Sequence, residues 1–305
     1  MAVHRIRIAK TAVRFCLSPL INEIIKIMFI SIEIGGTNTR IGSSKNLKDI
    51  KEYRIFSTQK DFNLGIKKII KIVEEMALQS QIKGLAIGLP GIVDKKKHKL
   101  IKSPHLKKWI NKPIFDILSK KFKCPIFIQN DTALAGLGEA VFGAGKKYEI
   151  IAYLSIGTGV GGVRIVNKQI DQSAQGFEPG HQIVKLGGNH LISCGQKGCL
   201  ESYVSKKSFY QRYKIKPENC NNIKIWQEFA KNLSQGVINT IVFWSPHVVI
   251  IGGGFCKRGK MLFDPLRLFV KQNLLVFSPP LIIKSKLEDQ AGVYGGFYYL
   301  KTHLK

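Results

Sequence analysis

The feature that most restricts this chain is a pair of glycine turns, each with a β-strand on both sides. Residues 29–34 read as a short buried strand that runs into Gly35-Gly36-Thr37-Asn38 and re-emerges as a strand over 39–42. Residues 150–156 do the same before Gly157-Thr158-Gly159-Val160-Gly161-Gly162, with a strand again over 163–166. The second turn matches G-x-G-x-x-G, but a dinucleotide site needs a helix to start at once and face the pyrophosphate. Val163-Arg164-Ile165-Val166 alternates as a strand does, which argues against an NAD-dependent oxidoreductase. Hairpin turns of this kind aim backbone N–H groups into a nest that holds phosphate oxygens without a helix. A plain pair of hairpins is the competing reading, and the threonine beside the glycines in both turns favours phosphate.

Each turn opens a block in which strands and helices alternate, so the chain predicts two related α/β domains facing each other. Further strands are expected at 51–57, 84–88, 125–129 and 247–251. Helices are expected at 61–79, 112–122, 133–141, 199–205, 224–243, 262–270 and 291–300, with a charged hairpin tip at 95–99. The helix after residue 61 shows the clearest period, with Ile66, Ile69, Ile70 and Val73 on one face and lysines and glutamates on the other. Gly252-Gly253-Gly254 follows a buried strand, and Gly253 and Gly254 offer either an adenosine approach or a simple helix entry.

Composition excludes several classes. The 305 residues suit about two domains, and six cysteines are too few for a disulfide scaffold. No run of apolar residues is long enough for a membrane-spanning helix. The net charge of +28 raises nucleic acid as a partner. Lysine outnumbers arginine 39 to 9 and is spread along the chain, whereas bidentate phosphate and base reading is arginine work. The pattern points to coding bias, with polyanion binding as the alternative, and no nucleic-acid partner is expected. Residues 1–27 carry His4, Arg5, Arg7, Lys10, Arg14 and Lys26 against one acid, Glu23. They read as an over-long gene start before Met28, a disordered or amphipathic extension, or a targeting segment, and stand outside the fold argument.

Three clusters carry candidate chemistry. Asn130-Asp131-Thr132 joins a strand to a helix, so Asp131 reads either as an N-cap or as a general base held at a helix N-terminus, which would keep it ionised. Gly176-Phe177-Glu178-Pro179-Gly180-His181 follows, then Cys194-Gly195-Gln196-Lys197-Gly198-Cys199-Leu200-Glu201. His181, Cys194 and Cys199 are zinc-type ligands, yet three fall short of a closed structural site.

Taken together these motifs resemble the ROK family of sugar kinases and repressors over residues 28–302, in the family's order. Glu33 to Thr37 is similar to its first phosphate loop, Gly88-Leu89-Pro90-Gly91 to a sugar-domain motif, and 157–162 to its second phosphate loop. The resemblance implies an actin-like, ribonuclease-H-like fold with a smaller domain of residues 28–130 completed by 291–305, and a larger one of 131–290. It implies ATP with Mg²⁺ as phosphoryl donor, gripped by Gly35, Gly36, Thr37, Gly157, Thr158 and Gly159. It implies Asp131 as base for a sugar hydroxyl on C6, with Asn130, Glu178, His181, Glu201 and His105 holding the sugar; glucose is the expected substrate, with another hexose, an N-acetylhexosamine or a non-catalytic sugar-binding role as the alternatives. A homodimer in the cytoplasm is also implied. Three departures stand out: Glu33 replaces the usual aspartate, Ile192 replaces one zinc cysteine, and His105 replaces an asparagine that contacts the sugar. His190 or Cys220 is a candidate to complete the zinc set. Only 34 residues precede Gly35, too few for the helix-turn-helix module that the family's repressors carry.

Overall fold

A computed structural model describes residues 26–304 except 79, 95 and 189–194. The expectations for residues 1–25, and for His190, Ile192 and Cys194, lie outside the described residues.

Two five-stranded sheets repeat one design. The first contains β1 (Ile27–Ile34), β2 (Asn38–Ser44), β3 (Glu52–Ser57), β4 (Gln81–Leu89) and, after the small hairpin β5 (Ile92–Asp94) and β6 (Lys99–Lys102), β7 (Ile126–Asn130). Its order is β3-β2-β1-β4-β7, antiparallel through β3-β2-β1 and parallel through β1-β4-β7. The second contains β8 (Ile150–Ile156), β9 (Val160–Val166), β10 (Gln169–Ile170), β11 (Val248–Gly252) and β12 (Leu281–Lys284), in the order β10-β9-β8-β11-β12. It has the same mix, a hairpin on one side and parallel strands on the other.

Period-two alternation sends Met28, Ile30, Ile32 and Ile34 of β1 to one face, where α1 (Phe62–Ala77) and α2 (Ile114–Phe122) cover them. Each fully buried isoleucine there contributes about 1.5–3 kcal/mol. Asp61 caps α1 by accepting from the Leu64 N–H at 3.1 Å. The opposite face of the first sheet packs on α8 (Ala291–His303) through Ala86, Val293, Phe297 and Leu300. α3 (Asp131–Val141) packs on the second sheet through Ala133, Leu137, Tyr153 and Val163, and Tyr298 and Tyr299 of α8 join that core. The far face carries α6 (Ile223–Trp244) and α7 (Lys260–Asn273), after the short α4 (Glu201–Val204) and α5 (Lys206–Tyr213). The layers thus run α1/α2, first sheet, α8, α3, second sheet, α6/α7.

α3 and α8 meet backbone to backbone. A Cβ at Gly138 would stand 2.1 Å from the Ala291 carbonyl oxygen, and one at Gly295 only 1.7 Å from that of Leu134. Among the described residues no helix is long and apolar enough to cross a membrane.

The helix expected over 199–205 is the single turn α4, which Ser205 ends; Ser205 also caps a further helix not expected from the sequence, α5, in a reciprocal capping box with Ser208. The glycines at 252–254 open a short 3-10 turn, Gly254–Arg258, rather than an α-helix.

Candidate active site

One cleft of about 590 Å³ opens where the C-terminal end of β7 and the two glycine hairpins converge. It gathers Gly35, Gly36, Thr37, His105, Asn130, Asp131, Gly157, Thr158, Gly159, Glu178, His181, Glu201, Gly253 and Gly254, every proposed base, sugar and nucleotide residue.

The hairpins face each other, with Thr37 Oγ1 3.4 Å from Thr158 Oγ1. The first amide of each turn is used internally: the Gly35 N–H donates to the Asn38 carbonyl and the Gly157 N–H to the Gly159 carbonyl, both at 2.9 Å. Gly253 has φ +81°, and a Cβ there would meet the Ile156 carbonyl oxygen at 2.4 Å. That glycine brings the third turn against the base of the second hairpin.

Asn130, and not Asp131, caps α3: its Oδ1 accepts the Ala133 N–H at 2.9 Å while its Nδ2 donates to the Gly91 carbonyl at 3.0 Å. Asp131 is then the first helical residue, and its Oδ1 accepts the Thr132 N–H at 2.8 Å. Gly88 makes this junction possible, since a Cβ there would come within 3.1 Å of the Asp131 Cα. The helix terminus was expected to keep Asp131 ionised, but burial outweighs its hydrogen bond and lifts the carboxyl to about 6. It remains mostly ionised at neutral pH.

On the far wall Glu201 Oε2 accepts the Val160 N–H of the second hairpin at 2.7 Å. Glu178 Oε2 lies 3.9 Å from His181 Nε2. Burial raises the Glu178 carboxyl, opposed by His181, and the Cys199 thiol beside His181 raises the imidazole. His181 Nδ1 is buried, and the Cys199 thiol hydrogen-bonds the ring. Among the described residues no three His, Cys, Asp or Glu side chains gather as a metal cluster. Cys220 is packed in the hydrophobic core of the second sheet, where Arg258 and the Trp226 indole take its carbonyl.

Sequence reasoning missed an ionic chain along the cleft edge. Glu33 Oε1 pairs with Arg40 at 3.1 Å, Arg40 reaches Asp289 at 2.8 Å, and Lys257 holds the other Asp289 oxygen at 2.9 Å. Burial lifts Glu33 to about 7 against the pull of Arg40. The β1–β2 register places Glu33 directly opposite Arg40, so that half was readable from the hairpin. Asp289 lies 249 residues away, and nothing local points to it. Lys60 was also missed; its ammonium donates to the Gly36 carbonyl and, at 3.3 Å, to the His105 carbonyl.

The ROK family model matches residues 29–303. The chain belongs to the ROK family. As a ROK protein it is 27% identical to a glucokinase of Thermotoga maritima, over 92% of this chain and 99% of that one. It is 31% identical to a xylose repressor of Caldicellulosiruptor bescii, over 70% of this chain and 61% of the repressor. Its fold is that of a Streptomyces griseus ROK glucokinase solved with glucose and AMPPNP (TM-score 0.79, 23% identity, 90% of this chain and 99% of that one). The actin-like two-sheet architecture expected for a ROK member is the one described above.

Proposed function

We propose that this ROK protein is an ATP-dependent hexose kinase acting on the C6 hydroxyl, with D-glucose as the leading substrate. The observation that carries the reading is the position of Asp131. It stands at the joint of β7 and α3, in one cleft with Asn130, Glu178, His181 and Glu201 and with the facing glycine hairpins. Phosphoryl transfer asks a protein for little beyond this: a positioned hydroxyl, a base, charge stabilisation and a shielded cleft.

In this scheme the sugar lies against Glu178, His181, Glu201 and the free N–H of Asn130. Carboxylate and imidazole groups suit a polyol and discriminate against one that leaves them unpaired. Asp131 takes the C6 hydroxyl proton as that oxygen attacks the γ-phosphorus. The bond from the γ-phosphorus to the β–γ bridging oxygen breaks, and ADP leaves with the pair of electrons. Gly36, Thr37, Thr158 and Gly159 cradle the phosphates, and Gly253 and Gly254 leave room for adenosine. Magnesium arriving with the nucleotide would neutralise triphosphate charge, and Glu33, in the strand that leads into the first hairpin, would be the carboxylate to hold it.

Zinc belongs to the same reading through His181, Cys194 and Cys199. The buried His181 imidazole paired with the Cys199 thiol suits such an ion, which would fix the ring whose Nε2 faces Glu178. Residues 28–130 with 291–305, and 131–290, are the two domains of the scheme, and a cytoplasmic homodimer is its expected form. A sugar-responsive regulator is the second reading, favoured by the similarity to the xylose repressor.

The test is ADP release with Mg-ATP across hexoses and N-acetylhexosamines, with Asp131→Asn in parallel. Turnover on one sugar, lost in the variant, supports the kinase and names its substrate; another best sugar moves only the specificity. A folded, zinc-supplied protein that binds sugar without turnover points to a binding protein or regulator.

A further inference from the structure

His105 stands where the family pattern places a sugar-contacting asparagine, but its ring lies against the hairpins. A Cβ at Gly36 would touch His105 Cβ and Cγ at 3.0 Å, and one at Gly159 would come within 3.3 Å of His105 Nε2. The imidazole therefore lies against both hairpins, which also meet through the Thr37–Thr158 contact. Its backbone is fixed there: Lys60 clamps the His105 and Gly36 carbonyls together. The next residue, Leu106, is buried, and its N–H donates to Ser103 Oγ at 3.1 Å. Burial lowers the imidazole below its ordinary range, opposed by the nearby Glu201 carboxylate.

Only one part of a bound ATP can touch both hairpins and also face the sugar, namely the γ-phosphoryl group. We propose, resting on the kinase reading, that His105 is a ligand of the transferring γ-phosphoryl group and not a selector of the sugar. An imidazole N–H there donates to a γ-oxygen as charge moves from the nucleotide to the sugar oxygen, the kind of donor that lowers such a barrier. The asparagine-to-histidine exchange then lengthens the side chain enough to shift its service from one substrate to the other. Glu201 links the two sides, because the carboxylate near His105 also holds the Val160 N–H of the second hairpin.

The test separates ligands by calorimetry on the full chain, with Mg²⁺ present, using AMPPNP, ADP and the best sugar. His105→Ala is expected to weaken AMPPNP roughly tenfold, the loss of one hydrogen bond to a charged group, with ADP and sugar affinities unchanged. His105→Gln, which keeps a donor, is expected to recover much of the AMPPNP affinity, and it serves if the alanine variant fails to fold. In steady state, the KM for ATP rises and that for sugar stays. Loss of sugar affinity with intact AMPPNP binding overturns the proposal and returns His105 to the sugar. Equal losses for ADP and AMPPNP overturn it too, because the γ-phosphoryl group is then not the partner. If the wild-type chain binds neither nucleotide, the kinase reading itself has failed, and this proposal with it.

Discussion

Asp131 offers the most direct test of the chemistry through its titration. Burial holds its carboxyl at about 6, well above an ordinary aspartate. A general base works only when ionised, so kcat/KM for the sugar should fall as pH drops through that value. With a pKa near 6, about nine-tenths of the protein is active at pH 7 and roughly one-eleventh at pH 5, close to a tenfold fall. Glu33, lifted to about 7, has Asp131 among the charges that raise it. The charged neighbour that raises Asp131 itself is Glu178, so the acid limb belongs to coupled carboxylates. Asp131→Asn should cost about 10²–10⁴ in kcat. The same shift has a signature in stability. A carboxyl raised on folding stabilises the fold below its unfolded pKa, and that contribution is lost as pH rises through about 6. Asp131→Asn should therefore raise the melting temperature at pH 8 and leave it nearly unchanged at pH 4. The assay is a coupled ADP-release profile from pH 5 to 8.5 with thermal melts at each pH. A flat profile in protein that stays folded, or an asparagine variant within tenfold of wild type, refutes the role of Asp131.

Glu139 is fully buried and accepts from Ser285 Oγ and the N–H groups of Ala144, Lys286 and Leu287 at 2.6–3.1 Å. Glu139→Ala strands four donors, so a loss of about 4 kcal/mol in denaturant unfolding is expected at about 1 kcal/mol each. Gly253→Ala would force a side chain at φ +81° into the Ile156 carbonyl. It should weaken ADP binding by calorimetry far more than sugar binding. At Gly292 a Cβ would lie 2.2 Å from Glu33 Oε2. Gly292→Ala should raise the KM for Mg-ATP, and Glu33→Asp, by shortening the carboxylate, should restore it in the double variant.

The hairpins and the parallel strands were legible because glycine turns and period-two apolar runs are local signals. The helix of residues 62–77 was legible for the same reason, since seven of its buried positions fall on one stripe. Residues 206–213 were not, because Lys206, Lys207, Gln211 and Arg212 leave little apolar stripe and only Ser208 and Phe209 are buried. β12 is four residues beside Pro279-Pro280, too short to stand out before its parallel partner β11 is known. At the site, Asp131 was found as a candidate, but the division of labour with Asn130 was not. Either side chain can cap a helix, and the choice is decided by Gly91, whose carbonyl holds the Asn130 amide. Arg40, Asp289 and Lys257 illustrate the remaining gap, since an ion pair across 249 residues leaves no trace in local pattern.

The close meeting of α3 and α8 sets the spacing between the two halves of the molecule. α8 packs on the first sheet through Val293, Phe297 and Leu300, and α3 on the second through Ala133 and Leu137. At Gly138 and Gly295 each helix backbone rests directly on the other. Asp131 is the first residue of α3. A methyl group added at either glycine would therefore push α3 away from α8, and with it Asp131 away from Gly88 and Gly91 of the first half.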